Sequence, residues 1–348
     1  MTAKRKILIV YTGGTIGMIQ DPQTGALSPF KFERLKDSIP DLGNLDVDIS
    51  AYSFPHLIDS SDMGPEGWNE IGNVIRDNYN RYNGFVVLHG TDTMAFTASA
   101  LSFMLENLDK PVILTGSQLP VGVLRSDGKA NLVNSIEMAA AVDGQGRAKV
   151  REVCVCFGDS LYRGNRITKY SAESFTAFRS ANFPALAKAG VHVKWSDKLN
   201  RIHAKSTGEG FRLQSELEHR IFIFKLYPGC PFCLESAFFS RFRGVVLETY
   251  GSGNAPSCRE FEQWLRLMKK LRIPVLNVTQ CAEGAVEMGK YAASTLLQNC
   301  GVVDGRDMTT EAAVAKMMYV LGKGLSYASS CKMLARPLRG EMTEHRAL

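Results

Sequence analysis

Apolar residues in this chain fall into two alternating patterns. Ile7–Tyr11, Phe85–Leu88, Val112–Leu114 and Val153–Phe157 are short unbroken runs rich in β-branched residues. Continuity without alternation is what a strand buried on both faces requires, and parallel sheets covered by helices supply that burial. Between the runs the spacing changes. From Asp92 to Leu108, Met94, Ala95, Ala98, Leu101, Met104, Leu105 and Leu108 recur at intervals of one, three and four, which places them on one face of a helix with Asp92 and Thr93 at its start. Pro65 opens a second helix through Trp68, Ile71, Val74 and Ile75, and a third is predicted from Lys129 to Val142.

From about Lys194 to Glu218 the apolar blocks disappear, and Ser196, Asp197, Lys198, Lys205, Ser206, Gly208, Glu209 and Gly210 dominate. A linker is expected there. The rhythm then resumes with Ile221–Phe224, Val245–Leu247 and Val275–Val278, separated by a helical segment from Arg259 to Arg272, and a last helix from Thr310 to Leu321 begins with a threonine and Glu311. The class is therefore α/β, with a catalytic domain over residues 1–193, a linker over 194–218 and a second α/β domain over 219–348. A chain of 348 residues is long enough for two cores.

Composition narrows the class further. A 45% hydrophobic and 22% charged content is that of a globular enzyme. The net charge of +6 is spread without blocks of like sign, so no nucleic-acid partner is expected. No apolar stretch reaches the length of a membrane span, and the run after Lys4-Arg5-Lys6 reads as a first strand rather than a signal peptide. Eight cysteines without a secretion signal read as reduced thiols in a cytoplasmic protein. Cys154 and Cys156 alternate along a strand and cannot share one metal. Cys230-Pro231-Phe232-Cys233 has the spacing of a dithiol redox site, but no basic residue lies beside it to lower a thiol pKa, and structural thiols are the expectation.

In open α/β sheets, ligands bind beyond the carboxyl ends of the strands. The loops there are chemically alike: Thr12-Gly13-Gly14-Thr15-Ile16-Gly17, Gly90-Thr91-Asp92-Thr93 and Thr115-Gly116-Ser117-Gln118 each set hydroxyls beside glycine. The first lacks the lysine of a phosphate-binding loop and the spacing of a dinucleotide fingerprint. Hydroxyls converging with the Asp92 carboxylate suit attack on a carbonyl by an enzyme that grips the polar ends of a small substrate. The six histidines give no triad, and His89, at a strand end, is expected to bond structurally. A lysine whose pKa is depressed by burial can serve as base instead. Lys169 follows another strand, though by spacing alone it reads as a solvated lysine.

The loops Thr12–Gly17 and Leu88–Met94 resemble the two signature motifs of the bacterial-type L-asparaginases. Asp59-Ser60-Ser61-Asp62-Met63, Leu161–Arg166, Tyr250–Pro256 and Arg339-Gly340-Glu341-Met342 further resemble the cytoplasmic type I branch, so the likeness spans essentially the whole chain. The resemblance implies hydrolysis of L-asparagine to L-aspartate and ammonia, with no metal or organic cofactor, by a homodimer or a homotetramer built as a dimer of dimers. It implies that Thr15, on or beside a mobile lid from about Gly17 to Pro29, forms the acyl-enzyme, and that Thr91, Lys169 and Asp92 form a relay. Asp92 would hold the α-ammonium, Asp59, Ser60 and Ser61 would line the amino-acid pocket with Ser60 at the α-carboxylate, and N–H groups near Gly90 and Thr91 would face the oxyanion.

The chain departs from the family in two places. Where many relatives carry a lid tyrosine, it has Gly25-Ala26-Leu27-Ser28, so Tyr291 or Glu287 becomes the candidate helper of Thr15. Where some type I relatives carry an effector-binding arginine, it has Glu248, so hyperbolic kinetics are expected. The alternative function is that of a related subunit that deamidates glutamine for tRNA charging. Those subunits carry an extra N-terminal domain, for which a nucleophile motif beginning at residue 12 leaves no expected room.

Overall fold

A computed structural model describes residues 4–20, 27–29, 39–121, 123–199, 209–289 and 292–344. Two units divide the chain, Met1–Ser215 and Glu216–Leu348.

The first unit is built on one eight-stranded sheet. Its strands are β1 (Arg5–Tyr11), β2 (Val47–Ser53), β3 (Gly84–Leu88), β4 (Val112–Thr115), β5 (Val153–Phe157), β6 (Ser160–Arg163), β7 (Ala187–Lys188) and β8 (Lys194–Trp195). They lie in the order β8-β7-β6-β5-β4-β3-β1-β2. The neighbours β2, β1, β3, β4 and β5 are all parallel, and β6 to β8 add antiparallel pairs. The unbroken apolar runs follow from this arrangement: Ile7, Ile9, Val86, Ile113 and Val155 have no exposed surface. Helices α1 (Pro65–Asn78), α2 (Met94–Met104) and α3 (Gly128–Ala140) follow β2, β3 and β4.

Helix α2 is shorter at both ends than its periodicity predicts. Thr93 Oγ1 donates to Ser60 O at 2.6 Å, which keeps the preceding residues in the loop, and Leu105–Glu106 leaves the helix to pair with Arg212–Leu213. The stretch expected as a linker thus contributes strand residues at both of its ends, 194–195 and 212–213, to the first unit. Apolar contacts hold the second of these in place. Phe211 stacks on Tyr79 with ring centroids 3.8 Å apart, and Leu213 packs over Gly72 of α1.

A separate parallel sheet forms the second unit, β9 (Ile221–Lys225), β10 (Gly244–Thr249), β11 (Val275–Thr279) and β12 (Val303–Asp304), in sequential order. Its core is aromatic, with Phe239, Phe261 and Trp264 buried beside Val245 and Leu247. Helix α4 (Arg259–Lys270) carries Glu260 and Glu262 in its first turn and Lys269 and Lys270 in its last, matching the helix dipole. In α5 (Thr310–Gly322), the Thr309 hydroxyl caps the Ala312 N–H at 3.1 Å. The last helix is α6 (Tyr327–Leu334). Between α5 and the chain end, Lys316 and Glu341 form an ion pair at 2.7 Å with neither side chain exposed. Lys316 Nζ also donates to the carbonyls of Leu334 and Arg336, and the Glu341 carboxylate accepts from the Leu338 and Arg339 N–H groups. Burial alone would raise the Glu341 carboxyl, but the Lys316 ammonium and the backbone donors outweigh it and hold it below the usual range.

Candidate active site

Because β4, β3, β1 and β2 are adjacent and parallel, the loops that follow them meet along one edge of the sheet. Connections leave β1 toward β2 on one side and return past it to β3, so the crevice of a doubly wound sheet opens there. Backbone contacts draw the loops together. Thr12 N and Oγ1 both donate to Leu88 O, at 3.1 and 3.0 Å, and Ile58 N donates to Thr12 O at 2.8 Å. The glycines let these loops approach closely, and a Cβ on Gly13 would lie 2.2 Å from Ile58 O. A Cβ on Gly14 would lie 2.5 Å from Gly90 N, and one on Gly90 would lie 2.5 Å from Ser60 Oγ. Gly13 and Gly14 have φ of 135° and 87°, a region that other residues rarely adopt.

On this floor the structure brings together most of the side chains singled out in the sequence. Lys169 Nζ donates to Thr91 Oγ1 at 2.9 Å and to Asp92 Oδ1 at 2.6 Å. The lysine is largely covered, with 19% of its side chain exposed, while Asp92 is 64% exposed and faces outward. Asp59 caps the short turn Ser60–Asp62, accepting from Ser61 N and Ser61 Oγ at 2.8 Å each. Those bonds, the backbone one foremost, hold its carboxyl below the ordinary value. Ser60 is buried beneath the Gly90 loop, its carbonyl taking the Thr93 hydroxyl and its Oγ 3.4 Å from Asp92 N.

Thr15 opens a one-turn 3-10 helix, Thr15–Gly17, directly after the Gly13–Gly14 pair. Among the described residues its hydroxyl makes no hydrogen bond, either to the Lys169–Thr91–Asp92 cluster or to another group. Residues 21–26 of the expected lid, and Tyr291, lie outside the described residues, while Met18–Gln20 pairs antiparallel with Leu27–Pro29. Glu287 is exposed in the second unit, with its N–H bonded to Ser252 O at 2.9 Å. Glu248 points inward on β10, accepting from Thr310 Oγ1 at 2.6 Å and pairing with Lys225 at 3.6 Å. Cys230 is buried and Cys233 exposed, both as free thiols. No group of three or more His, Cys, Asp or Glu among the described residues could hold a metal ion.

Lys169 owes its position to contacts made by the segments that flank it. The Arg163 guanidinium pairs with the buried Glu152 at 2.6 Å and stacks on Phe183 at 4.3 Å. Gly164 then packs against Ala98 of α2, and Thr168–Lys169 pairs with Phe178–Arg179, where Phe178 lies edge-on to Phe157 of β5. Sequence reasoning named Gln118 only as part of its loop and missed Asp127. Thr91 Oγ1 lies 3.4 Å from Gln118 Oε1, and the Asp127 carboxylate fixes the turn by accepting from Gln118 N and Leu119 N at 3.1 Å. It also missed Trp68 and Thr97 as polar partners under the floor, where His89 bonds structurally as expected. Trp68 Nε1 donates to Thr97 Oγ1 at 3.0 Å, Thr97 Oγ1 lies 3.0 Å from His89 Nε2, and His89 Nδ1 lies 2.6 Å from Gly90 O. Burial pushes the His89 imidazole down to about 4.

A covered lysine touching a hydroxyl and a carboxylate, on the open edge of a doubly wound sheet, defines a small-molecule enzyme of the α/β class. The chain belongs to the asparaginase family: residues 6–201 match "Asparaginase, N-terminal" and residues 220–334 match "Glutaminase/Asparaginase C-terminal domain". It is 42% identical to L-asparaginase 1 of Escherichia coli over 343 residues, covering 98% of both chains. The crystal structure of L-asparaginase I from Vibrio cholerae superposes with a TM-score of 0.86 at 40% identity, over 98% of this chain and all of that one. A glutamyl-tRNA(Gln) amidotransferase component from Methanobrevibacter smithii is more distant, 31% identical over 98% of this chain and 78% of its own length.

Proposed function

We propose that this protein is an L-asparaginase that works through a threonyl ester. The observation that carries the reading is the Lys169–Thr91–Asp92 cluster, set beside the Thr15 turn in a chain similar over its whole length to L-asparaginase 1. Thr15 Oγ attacks the side-chain amide carbon of asparagine, its proton passes to the departing nitrogen, and ammonia leaves. Water, deprotonated through Thr91 and Lys169, then cleaves the ester and releases aspartate. Asp92 is exposed and adjacent, suited to the substrate α-ammonium, and Asp59, Ser60 and Ser61 line the amino-acid end with Ser60 at the α-carboxylate. The Gly90 and Thr91 N–H groups face the negative charge that develops on the carbonyl oxygen. The working form is a cytoplasmic homodimer or homotetramer, which light scattering on the purified protein resolves.

The test is ammonia release from L-asparagine by the purified chain with no cofactor added, and again after treatment with a chelator. We expect turnover in both, with L-glutamine hydrolysed more slowly. Deamidation of glutamine only in the presence of charged tRNA and a partner protein would favour the amidotransferase reading instead.

A further inference from the structure

The hydrogen bonds beneath the Gly90 loop admit one direction only. The Gly90 carbonyl can accept but not donate, so the His89 Nδ1 that lies 2.6 Å from it must carry a proton. Trp68, Thr97 and His89 are 4%, 0% and 0% exposed, and burial keeps the imidazole neutral near pH 7. A neutral ring has one N–H, so Nε2 is the acceptor and the Thr97 hydroxyl is its donor. The Thr97 oxygen is then free to accept from the Trp68 indole, which can only donate. The chain therefore runs Trp68 to Thr97 to His89 to Gly90 O, from α1 through α2 to the end of β3, with every member satisfied.

The end of that chain is half of a peptide group. The Gly90–Thr91 peptide is trans, so fixing its carbonyl toward His89 fixes the Thr91 N–H in the opposite direction. Among the described residues nothing accepts a hydrogen bond from that N–H, while the Thr91 side chain is held by Lys169. Hydrogen bonding at the carbonyl also polarises the peptide and strengthens its N–H as a donor. We propose that Thr97 and His89, with Trp68 behind them, are positioning residues that aim the Thr91 N–H at the developing oxyanion. This rests on the asparaginase reading above. Neither residue touches the substrate, and their action passes through the plane of one peptide.

Two measurements test the proposal. In the first, the spectrum of protein carrying ¹⁵N-labelled histidine is recorded at pH 7, where His89 is expected to show a protonated Nδ1 and an unprotonated Nε2. The opposite tautomer would overturn the proposal whether or not the protein hydrolyses asparagine. In the second, Thr97→Val deprives Nε2 of its donor at nearly constant volume. We expect kcat for asparagine to fall by roughly tenfold to a hundredfold, less than the roughly hundredfold to thousandfold for losing an oxyanion donor outright because the Thr91 N–H is misaimed rather than removed, while KM stays within about twofold. Thr97→Ser, which keeps the hydroxyl, is expected to return most of the lost kcat. Trp68→Phe, one step further back, is expected to lower kcat by roughly threefold. If Thr97→Val lowered only the melting temperature and kept its kcat when assayed below it, the positioning role would be wrong. Absence of turnover in the unmodified protein would instead count against the asparaginase reading.

Discussion

The two parallel sheets end differently at their carboxyl edges. In the second unit most of the polar side chains at that edge bond one another or the nearby backbone, although the Asn277 amide nitrogen and the Tyr250 hydroxyl are buried without a hydrogen-bond partner among the described residues. Thr249 donates to Asn277 Oδ1 at 2.8 Å, Gln280 Nε2 donates to the carbonyls of Leu226 and Glu248 at 2.7 and 2.9 Å, and the Glu248 carboxylate takes Thr310. In the first unit the same edge is lined by glycine loops, and the exposed carboxylates of Asp59 and Asp92 stand over it. Parallel α/β architecture supplies such a crevice in either case, but a carboxylate that reaches solvent, as Asp92 does, can still grip a ligand, whereas Glu248 is turned inward onto Thr310.

The comparison can be broken most sharply in the first unit. Thr15→Ala and Thr91→Val are each expected to fold normally and lose at least about a thousandfold in kcat, equivalent to about 4 kcal/mol of transition-state stabilisation. Retention of a tenth of wild-type turnover by either would remove that hydroxyl from the mechanism.

The second unit should respond in stability rather than rate. Glu341→Gln leaves the Lys316 ammonium without its counter-charge in a fully buried site, and is expected to cost roughly 3 kcal/mol in denaturant unfolding while activity per folded molecule changes little. The folded-state pKa of Glu341 is depressed, so its stabilisation is complete above the ordinary glutamate range and is lost as pH falls through the folded-state value. The variant is therefore expected to show a shallower loss of stability on the acid side than the parent.

A smaller effect concerns regulation. With Glu248 bonded to Thr310 and Lys225, the second sheet's edge offers a carboxylate where an effector carboxylate would need a cation, and rates against asparagine concentration are expected to be hyperbolic. A Hill coefficient clearly above one that disappears in Glu248→Ala would overturn this. Smallest of all, replacing Cys230 and Cys233 with serine is expected to leave amide hydrolysis within about twofold, and a disulfide whose reduction switched activity would refute it.

Legibility followed the range of the interactions. The strands could be read because burial on both faces writes an unbroken apolar run into the chain, and the glycine-hydroxyl loops because tight turns need particular residues. The family resemblance implied roles for Thr91, Asp92, Asp59 and Lys169, although spacing alone left Lys169 a solvated lysine. What brings it in is the Arg163–Glu152 pair and the Phe157–Phe178 contact, made between neighbouring segments of the chain that carry no motif. Thr97 was hidden for a different reason. On a helix packed against others, a hydroxyl that bonds a histidine and one that merely fills space occupy the same periodic position. The linker expected over 194–218 concealed Phe211 and Leu213, two apolar residues whose partners Tyr79 and Gly72 lie more than a hundred positions earlier.

The meeting of Gly14 with Gly90 has a consequence for anyone who would alter substrate choice by mutation. Saturation libraries at Gly13, Gly14, Gly90 and Gly116 are expected to return glycine almost alone, because a Cβ on each would fall within 2.5 Å of a neighbouring atom. Variation that survives selection will come from the rim, at Ser61 and Gln118, where side chains reach solvent. The pocket can be re-decorated at its mouth, while its floor admits a single spelling.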